Sequence, residues 1–343
     1  CMTELRKDPI TGRWVIVSID GSGQMPDLEP ARLDNDQENC PFCEGHEEQT
    51  SPEIFSLRQE DTYPNSPGWY VRCIPNINPV LTSSEDLGRR GLGIFDMMNS
   101  IGAHEVIIET PRHHEDFYNS DKEQVERVLN TYRDRIVDLK KDERLKYVLV
   151  FKNRGQRAGS LSISHAHSQV IATPVVPIRV KLELTGTRKY YQMKERCIFC
   201  DIVRQELKDE IRVVDQNESF LCLLPFASRF PYECWILPKT HRAQFAEIEE
   251  EELKDLAIMF KRTFFRLRQV LKDPPYNCVL HDGPNIVPKK GYWQTIAKDY
   301  HWHFEIIPRL TRTAGFEWGT GFHINPLAPE RAADDLRAVT MED

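Results

Sequence analysis

The sequence presents one order of parts twice, and this repeat is the feature that most constrains the fold. Each half opens with a Cys-x-x-Cys pair, CPFC at Cys40 and CIFC at Cys197. Two strand-like segments, a histidine, a long amphipathic stretch, a third strand, a glycine-containing loop and a strand with His-x-His then follow in the same order. Self-similarity on this scale indicates internal duplication. The sequence therefore predicts two units of the same design.

The length of the chain also supports two units. At about 150 residues per domain, 343 residues are enough for two hydrophobic cores. We place the boundary after the first repeat, which gives an N-terminal unit over residues 1–180 and a C-terminal unit over residues 181–343.

Each unit is predicted to contain one long amphipathic helix. The first opens with Ser120 and Glu123 as a capping box, in which two side chains satisfy free backbone N–H groups. Its apolar face is formed by Val125, Val128, Leu129, Tyr132, Ile136 and Val137. The second runs from about Ala246 to Lys272 and is stopped by the Pro-Pro pair that follows. Its apolar face is formed by Ile248, Leu253, Leu256, Phe260, Phe264 and Leu267.

Charge and hydropathy argue against two classes of partner. The chain has 45 Lys and Arg against 53 Asp and Glu, a net charge of −8, so no strongly basic surface for nucleic acid is expected. No run of about 18 apolar residues predicts a membrane span, and no secretory signal pattern is present. We therefore expect a cytoplasmic protein that binds neither nucleic acid nor a membrane.

The nine cysteines are expected to stay reduced, because disulfide frameworks belong to short secreted chains. Cys73, Cys222, Cys234 and Cys278 stand singly in apolar stretches and are predicted to be core residues. The two Cys-x-x-Cys pairs are each followed by histidines, and this combination favours zinc over a redox pair. Those residues lie too far apart in sequence for a zinc finger. The pattern therefore predicts a metal that cross-ties a folded unit.

The segment SISHAHSQVIATP places His165, His167 and Gln169 at every second position. In a strand, residues i, i+2 and i+4 face the same side. The opposite side would carry the small or apolar residues Ser168, Val170 and Ala172. The alternation therefore predicts a half-buried strand whose polar face is a candidate site.

The second half carries a matching strand with His301, His303 and, at the third polar position, Glu305. Histidines that are merely solvated on a surface strand are the plain alternative for either half. Because the pattern recurs with the same neighbours in the same order, the duplication favours a site over that alternative.

Together these segments resemble the galactose-1-phosphate uridylyltransferase family, a branch of the histidine-triad superfamily. The motifs that carry the resemblance are RKDPITGRWVIVS, CPFC, TPRH, FKNRG, HAHSQ, PKTH, HWHFEIIP and GFEWGTGFHINP, and they span nearly the whole chain. The resemblance implies an α+β fold of two tandem histidine-triad-like units, each an antiparallel sheet with a helix.

In this family the second histidine of His-x-His-x-Gln attacks the α-phosphorus of a nucleotide sugar, and a sugar 1-phosphate resolves the nucleotidyl-histidine. The resemblance therefore makes His167 the nucleophile and Gln169 the side chain that holds the phosphoryl oxygens. A neutral imidazole is a good nucleophile near pH 7. Glu305 would repel a phosphoryl oxygen, so His303 is interpreted as part of a degenerate second half.

The resemblance also implies a set of substrate contacts. Besides Gln169 it includes Asn76, Asn153, Gly159, Ser160, Phe316 and Glu317. The loop amides around Ser160 are suited to bind charge that develops on the phosphoryl group. A turn role for either asparagine stays open.

The resemblance implies one or two zinc ions per chain. The first would use Cys40, Cys43, His165 and a histidine from PRHH, where the family pattern selects His113 and the internal repeat PKTH selects His114. The second would use Cys197, Cys200, His241 and His301.

Two departures from the family concern the acceptor. The stretch after RWVIVS has no arginine before Arg32, whereas relatives commonly carry an arginine-rich segment there. The lysine that several uridylyltransferases use near the sugar phosphate is also absent, and Arg312 is the nearest cation. The base of the nucleotide, uracil or adenine, is therefore left open. The acceptor, galactose 1-phosphate or inorganic phosphate, is left open as well.

Three functions compete on these grounds. The first is a galactose-1-phosphate uridylyltransferase, which exchanges UDP-glucose and galactose 1-phosphate. The second is a phosphorylase that cleaves ADP-glucose or a dinucleoside polyphosphate with inorganic phosphate. The third is a non-catalytic, zinc-stabilised binding protein, which would need neither His167 nor Gln169. A nucleotide sugar and a sugar 1-phosphate are the expected partners, and a homodimer is compatible with the resemblance.

Overall fold

The fold is described from a computed structural model of the chain. It describes residues 2–21, 23, 30–31, 37–82, 86–160, 163–286 and 294–341. Arg32, the first arginine after the N-terminal motif, lies outside these residues.

The described residues form strands and helices from both halves of the chain. The strands are β1 (Thr3–Lys7), β2 (Trp14–Ser18), β3 (Phe55–Arg58), β4 (Trp69–Pro75), β5 (Arg90–Leu92), β6 (Phe95–Met97), β7 (Ala103–Ile108), β8 (Tyr147–Arg154), β9 (His167–Thr173), β10 (Val213–Gln216), β11 (Phe220–Leu223), β12 (Cys234–Pro238), β13 (Tyr276–His281), β14 (His303–Pro308) and β15 (His323–Asn325). The helices are α1 (Lys122–Leu139), α2 (Ile178–Lys194), α3 (Ile198–Asp209), α4 (Glu250–Leu271), α5 (Ile296–Asp299), α6 (Gly315–Thr320) and α7 (Pro329–Arg337).

Ten of the strands form one sheet in the order β10-β11-β12-β14-β13-β8-β9-β7-β4-β3. The first five come from the second half of the chain and the last five from the first half, in mirrored order. Neighbours in this sheet pair antiparallel. The predicted α+β fold of two antiparallel units related by duplication is confirmed.

The two halves join through the antiparallel pairing of β8 with β13, in which Asn153 lies opposite Asn277. The two units therefore share a continuous hydrogen-bonded sheet. The predicted boundary after residue 180 falls in the first turn of α2, and it stays a prediction.

The largest core cluster lies on one face of this sheet, where α1 and α4 pack beside each other. Strand β9 shows why the sheet is half-buried, because burial alternates strictly along it, with Ser168, Val170 and Ala172 buried. Phe260 of α4 illustrates the packing, since its ring centroid lies 5.3 Å from that of Phe117 and 4.8 Å from that of Phe304. The opposite face carries the polar residues of β9 and smaller apolar clusters, such as the one that contains Phe199 and Trp235.

The predicted start of α1 needs correction. Asp121, and not Ser120, is the N-cap residue, and its carboxylate accepts a hydrogen bond of 2.6 Å from the Gln124 backbone N–H. An aspartate one position later can reach the same free N–H groups, so sequence alone did not distinguish the two. The predicted apolar face is buried except at Val137, which is 44% exposed.

Helix α4 also begins later than predicted, at Glu250 instead of Ala246. Glu249 and Glu252 form the capping box, and a short 3-10 turn precedes them. The predicted end is confirmed, because Lys272 is a left-handed cap with φ of 56° and Asp273 has φ of 65° before the two prolines.

The four single cysteines, Cys73, Cys222, Cys234 and Cys278, are buried free thiols, as predicted. Among the described residues no helix is long and apolar enough to cross a membrane.

The corrected N-cap can be tested by substitution. Asp121→Ala should lower the free energy of unfolding by about 1 kcal/mol, because the Gln124 N–H loses its acceptor. Ser120→Ala is the matched control and should have a clearly smaller effect. Urea unfolding of both variants measures the difference, and a larger loss in Ser120→Ala would reinstate the original assignment.

Candidate active site

A cavity of about 390 Å³ opens on the polar face of β9. Its lining includes six of the residues predicted to act in catalysis or substrate binding: Asn76, Asn153, Gly159, Ser160, His167 and Gln169. The strands β4, β8 and β9 and the loop after β8 deliver these side chains to one place. No charged side chain occurs among the described residues that line this cavity.

The geometry of His167 fixes which ring nitrogen can act. Its Nδ1 lies 2.8 Å from the carbonyl oxygen of His165. A carbonyl can only accept, so Nδ1 carries the proton and Nε2 keeps its lone pair. Burial lowers the pKa of His167, so the imidazole is neutral near pH 7. This is the form that a nucleophile requires.

The loop after β8 closes one wall of the cavity. Gly159 has φ of 95°, a left-handed conformation that favours glycine, and the Ser160 backbone N–H donates to the carbonyl of Gly155 at 3.2 Å. Asn277 of β13 donates to the carbonyl of Ala158 at 2.8 Å. The second half of the chain therefore helps to hold the loop of the first.

Gln169 is hydrogen-bonded to His104, a residue outside the predicted site. His104 Nε2 lies 2.8 Å from Gln169 Oε1. His104 also lies 3.0 Å from the amide nitrogen of Asn76, another cavity residue. His104 lies on β7, and the pairing of β7 with β9 that brings it to Gln169 was not predicted from the sequence.

A buried charge network lies behind the site, on the helix-facing side of the sheet. Ser168, between His167 and Gln169, donates to Glu109, which also pairs with Lys152. The Lys152 ammonium lies 2.7 Å from Asp116, so charges of opposite sign are matched in this dry region. Removing one member would leave a buried charge without its partner. The network thus holds β9 in place from the helix-facing side of the sheet.

The structure brings the first predicted set of metal ligands together. One ligand atom each of Cys40, Cys43, His113 and His165 lies within 4.8 Å of the others. The two sulfur atoms lie 3.6 and 3.5 Å from His165 Nδ1. Of the two adjacent histidines it is His113 that joins the group, with Nδ1 3.4 Å from Cys43 Sγ, while His114 is exposed.

The second predicted set, Cys197, Cys200, His241 and His301, also lies within 4.8 Å. In both sets the far ring nitrogen of a histidine donates to a backbone carbonyl, at 2.7 Å from His165 to Thr110 and 2.9 Å from His301 to Pro238. Such bonds orient Nδ1 toward a metal. Both groups could hold a metal ion.

A third cluster, Glu183, His281 and His303, was not predicted. His281 Nδ1 lies 3.0 Å from Glu183 and its Nε2 lies 3.2 Å from Glu305. Burial disfavours the imidazolium, but the two carboxylates outweigh it and raise the pKa of His281 to about 10. Both ring nitrogens therefore carry protons and donate to carboxylates. We interpret the cluster as a buried ion-pair network.

The second half has lost the space that a substrate would need. His303 repeats the geometry of His167, with Nδ1 3.2 Å from the carbonyl of His301. The rings of Phe199 and Trp235 pack on it at 4.9 and 5.2 Å, and the adjoining cavity is about 60 Å³. His303 is therefore enclosed in the core, whereas His167 lines an open cavity.

Phe316 and Glu317, also predicted to bind substrate, are not brought to the His167 cavity of the same chain. Both lie on α6, where Phe316 is 48% exposed and Glu317 caps the helix by accepting from the Ala314 backbone N–H at 2.8 Å. Their substrate role stays a prediction.

Comparison with known proteins agrees with this geometry. Residues 2–177 match the domain described as galactose-1-phosphate uridyl transferase, N-terminal domain, and residues 183–341 match the C-terminal domain of the same family. The chain belongs to this family. Its members are nucleotidyltransferase-type enzymes, so this chain is an enzyme of that type.

Two relatives match along nearly the whole chain. ADP-glucose phosphorylase from Arabidopsis thaliana is 34% identical over 343 residues, covering 98% of this chain and 93% of the relative. Galactose-1-phosphate uridylyltransferase from Thermotoga maritima is 31% identical over 349 residues, covering 99% of this chain and all of the relative.

Solved structures give the same result. The crystal structure of ADP-glucose phosphorylase from Arabidopsis thaliana with bound ADP-glucose superposes with a TM-score of 0.84 at 34% identity, covering 99% of this chain and 100% of that one. A uridylyltransferase structure superposes with a TM-score of 0.74 at 30% identity, covering 98% of each chain.

The ion-pair network around His281 should make stability depend on pH. Its folded pKa of about 10 lies above the ~6.5 of an unfolded histidine, so the stabilisation is complete below about pH 6.5 and is lost as pH rises toward 10. His281→Gln should lower the free energy of unfolding by about 3–5 kcal/mol at pH 6.5. Denaturant unfolding between pH 6.5 and 10 should show this difference shrinking, and a constant difference would contradict the protonated network.

Proposed function

We propose that this chain transfers the nucleotidyl group of a nucleotide sugar through a covalent intermediate on His167. The observation that carries the proposal is the state of this residue in the cavity, where Nδ1–H is bound to the His165 carbonyl and Nε2 keeps its lone pair. A structural zinc protein has no use for such an arrangement beside Gln169, so the non-catalytic alternative is disfavoured.

The reaction proceeds in two displacements. In the first, His167 Nε2 forms a bond to the α-phosphorus while the bond from that phosphorus to the oxygen of the sugar-phosphate leaving group breaks. The leaving group departs as a sugar 1-phosphate. In the second, an oxygen of the acceptor phosphate forms the new bond to phosphorus and the P–N bond breaks, which returns neutral His167.

Charge builds on the phosphoryl oxygens in both displacements. The amide of Gln169 borders the cavity next to His167 and supplies neutral N–H donors, and the loop that carries Gly159 and Ser160 forms the adjoining wall. The His165 carbonyl stabilises the imidazole ring as positive charge develops on it, because Nδ1–H donates to it throughout.

For the substrates we propose first galactose-1-phosphate uridylyltransferase activity, the exchange of UDP-glucose and galactose 1-phosphate. The full-length similarity to the Thermotoga maritima enzyme of that name supports it. Products would be UDP-galactose and glucose 1-phosphate.

ADP-glucose phosphorylase activity is the second candidate, with inorganic phosphate as acceptor and ADP and glucose 1-phosphate as products. Two observations favour it. The Arabidopsis thaliana relative of that name is the more similar of the two at 34% identity. The sequence between residues 19 and 31 also lacks the arginines that uridylyltransferases commonly carry. Incubation with UDP-glucose or ADP-glucose, each with galactose 1-phosphate or inorganic phosphate, separates the two by their products.

We also propose that the two Cys and His groups hold one or two zinc ions. In a tetrahedral site, sulfur and nitrogen ligands of one zinc lie about 3.6 Å apart. The sulfur–nitrogen distances of 3.3 to 3.7 Å in the two groups fit this value. The metal would supply a structural cross-tie between each Cys-x-x-Cys segment and the histidine that lies two residues before β9 or β14.

We further propose a cytoplasmic homodimer. All cysteines of the described residues are free thiols, which suits a reducing compartment. Because Phe316 and Glu317 do not line their own cavity, a partner chain is the means by which they would contact substrate.

The two histidines of HAHSQ should separate metal binding from catalysis. His165→Ala should lose the first metal ion, because it removes a ligand atom. His167→Ala should keep the metal and the fold but lose nucleotidyl transfer. Elemental analysis and activity of both purified variants test this, and metal lost from His167→Ala but kept in His165→Ala would reverse the assignment.

The covalent step predicts one adduct per chain. With the donor alone, intact mass should rise by one nucleoside monophosphate, and acid should release it because a phosphoramidate is acid-labile. Initial rates at several acceptor concentrations should give parallel lines, as in ping-pong exchange. Turnover without any adduct would exclude the covalent mechanism, and an adduct on His303 would place it in the other half.

A further inference from the structure

The amide of Gln169 is held through its carbonyl end. His104 Nε2 approaches Gln169 Oε1 at 2.8 Å, and the Val80 backbone N–H donates to His104 Nδ1 at 3.3 Å. A backbone N–H can only donate, so Nδ1 of His104 is the acceptor and Nε2 bears the proton. His104 therefore donates to Gln169 Oε1, and the NH2 group of Gln169 remains for the cavity.

The other tautomer fits fewer neighbours. With the proton on Nδ1, two donors would face each other at the Val80 backbone N–H. Two acceptors, His104 Nε2 and Gln169 Oε1, would also face each other. It would gain only a bond from the Asn76 amide nitrogen, at 3.0 Å. The Nε2–H tautomer has one mismatched contact, donor to donor with the Asn76 amide nitrogen, against two in the other tautomer. This balance favours the Nε2–H tautomer, in which His104 does not accept from Asn76.

The other two cavity amides are held in the same way. Asn277 donates to Asn153 Oδ1 at 2.7 Å, and the Asn78 backbone N–H donates to Asn76 Oδ1 at 2.9 Å. The Asn153 amide nitrogen lies on the side of Gly159, with 3.7 Å to the position that a Cβ of this glycine would occupy. The carbonyl oxygens of the Gln169, Asn153 and Asn76 amides thus all accept from protein donors. Their NH2 groups remain to donate into the cavity.

This arrangement matters because the described cavity lining contains no charged side chain. A bound nucleotide sugar brings phosphoryl oxygens, which accept hydrogen bonds only. An amide that rotated by 180° would present its oxygen to them and repel. Fixing the carbonyl end converts each amide into a group that can only donate, without the desolvation cost of a buried cation.

We propose that His104 and Asn277 are positioning residues, which hold the carbonyl ends of Gln169 and Asn153 so that both amides donate to phosphoryl oxygens of the substrate. This inference rests on the proposed function. It adds two residues from outside the predicted site, one of them contributed by the C-terminal half of the chain.

The test compares His104→Phe, which keeps a ring but neither donor nor acceptor, with His104→Gln, which restores both. Single-turnover adduct formation on His167 from saturating UDP-glucose and ADP-glucose is the readout. Loss of one hydrogen bond to a charged group corresponds to a fall of roughly 10- to 100-fold in rate. His104→Phe should show this fall, and His104→Gln should recover most of it. Asn277→Leu should fall by a similar factor.

Double variants separate positioning from a general structural role. If His104 acts through Gln169, then His104→Phe in a Gln169→Ala background should change the rate by less than about 2-fold, since coupled effects are not additive. Asn277→Leu in an Asn153→Ala background should behave likewise. Independent, multiplying losses in the double variants, or a His104→Phe rate equal to wild type, would overturn the proposal.

A second measurement does not depend on turnover. The 15N chemical shifts of the His104 ring distinguish a protonated from an unprotonated nitrogen, and they should show protonated Nε2 and unprotonated Nδ1 in the free wild-type protein. The opposite tautomer would overturn the inference even in an active enzyme. If wild type forms no adduct with either donor, the proposed function fails, and the ring shifts still decide the state of His104.

Discussion

The pairing of β8 with β13 is the interaction on which the rest of the structure depends. It joins two five-stranded halves into one sheet, so β8, which contributes Asn153 to the cavity, is paired with a strand of the second half. Asn277 lies at this junction and binds both Asn153 and the carbonyl of Ala158. A half of this chain alone would lack that support. The two copies are therefore structurally linked, because a residue of the second copy holds the loop after β8 in the first.

Much of the site could be predicted from the sequence because it follows a local rule. Side chains alternate along a strand, so the spacing of His167 and Gln169 was enough to place them on one face, whereas His165 lies just before β9. Cys-x-x-Cys pairs followed by histidines are similarly specific, and the structure brings both sets together. The choice of His113 over His114 required knowledge of a family pattern, since two adjacent histidines on a loop differ only in tertiary placement.

What could not be predicted depends on contacts between segments distant in sequence. His104 meets Gln169 across 65 residues and Asn277 meets Asn153 across 124, and neither pair leaves a local pattern. The ion pairs of His281 are of the same kind. Helix starts failed for a different reason, because neighbouring polar residues such as Ser120 and Asp121 compete for the same backbone N–H groups.

The two halves differ at Gln169 and Glu305, and this difference separates the half with the proposed active site from the half whose matching cavity is closed. Gln169 and Glu305 hold equivalent places, but an amide can be oriented to donate, whereas a carboxylate can only accept. Glu305 is accordingly matched with the cations Arg229 and His281 in the core. Phe199 and Trp235 pack on His303 beside this network, and the low local dielectric strengthens its ion pairs. The same packing that satisfies the carboxylate also removes the room for a phosphoryl group. A reversal of Glu305 to glutamine alone would therefore leave Arg229 with Glu233 and His281 with Glu183 as their remaining carboxylates, and it would not reopen the cavity.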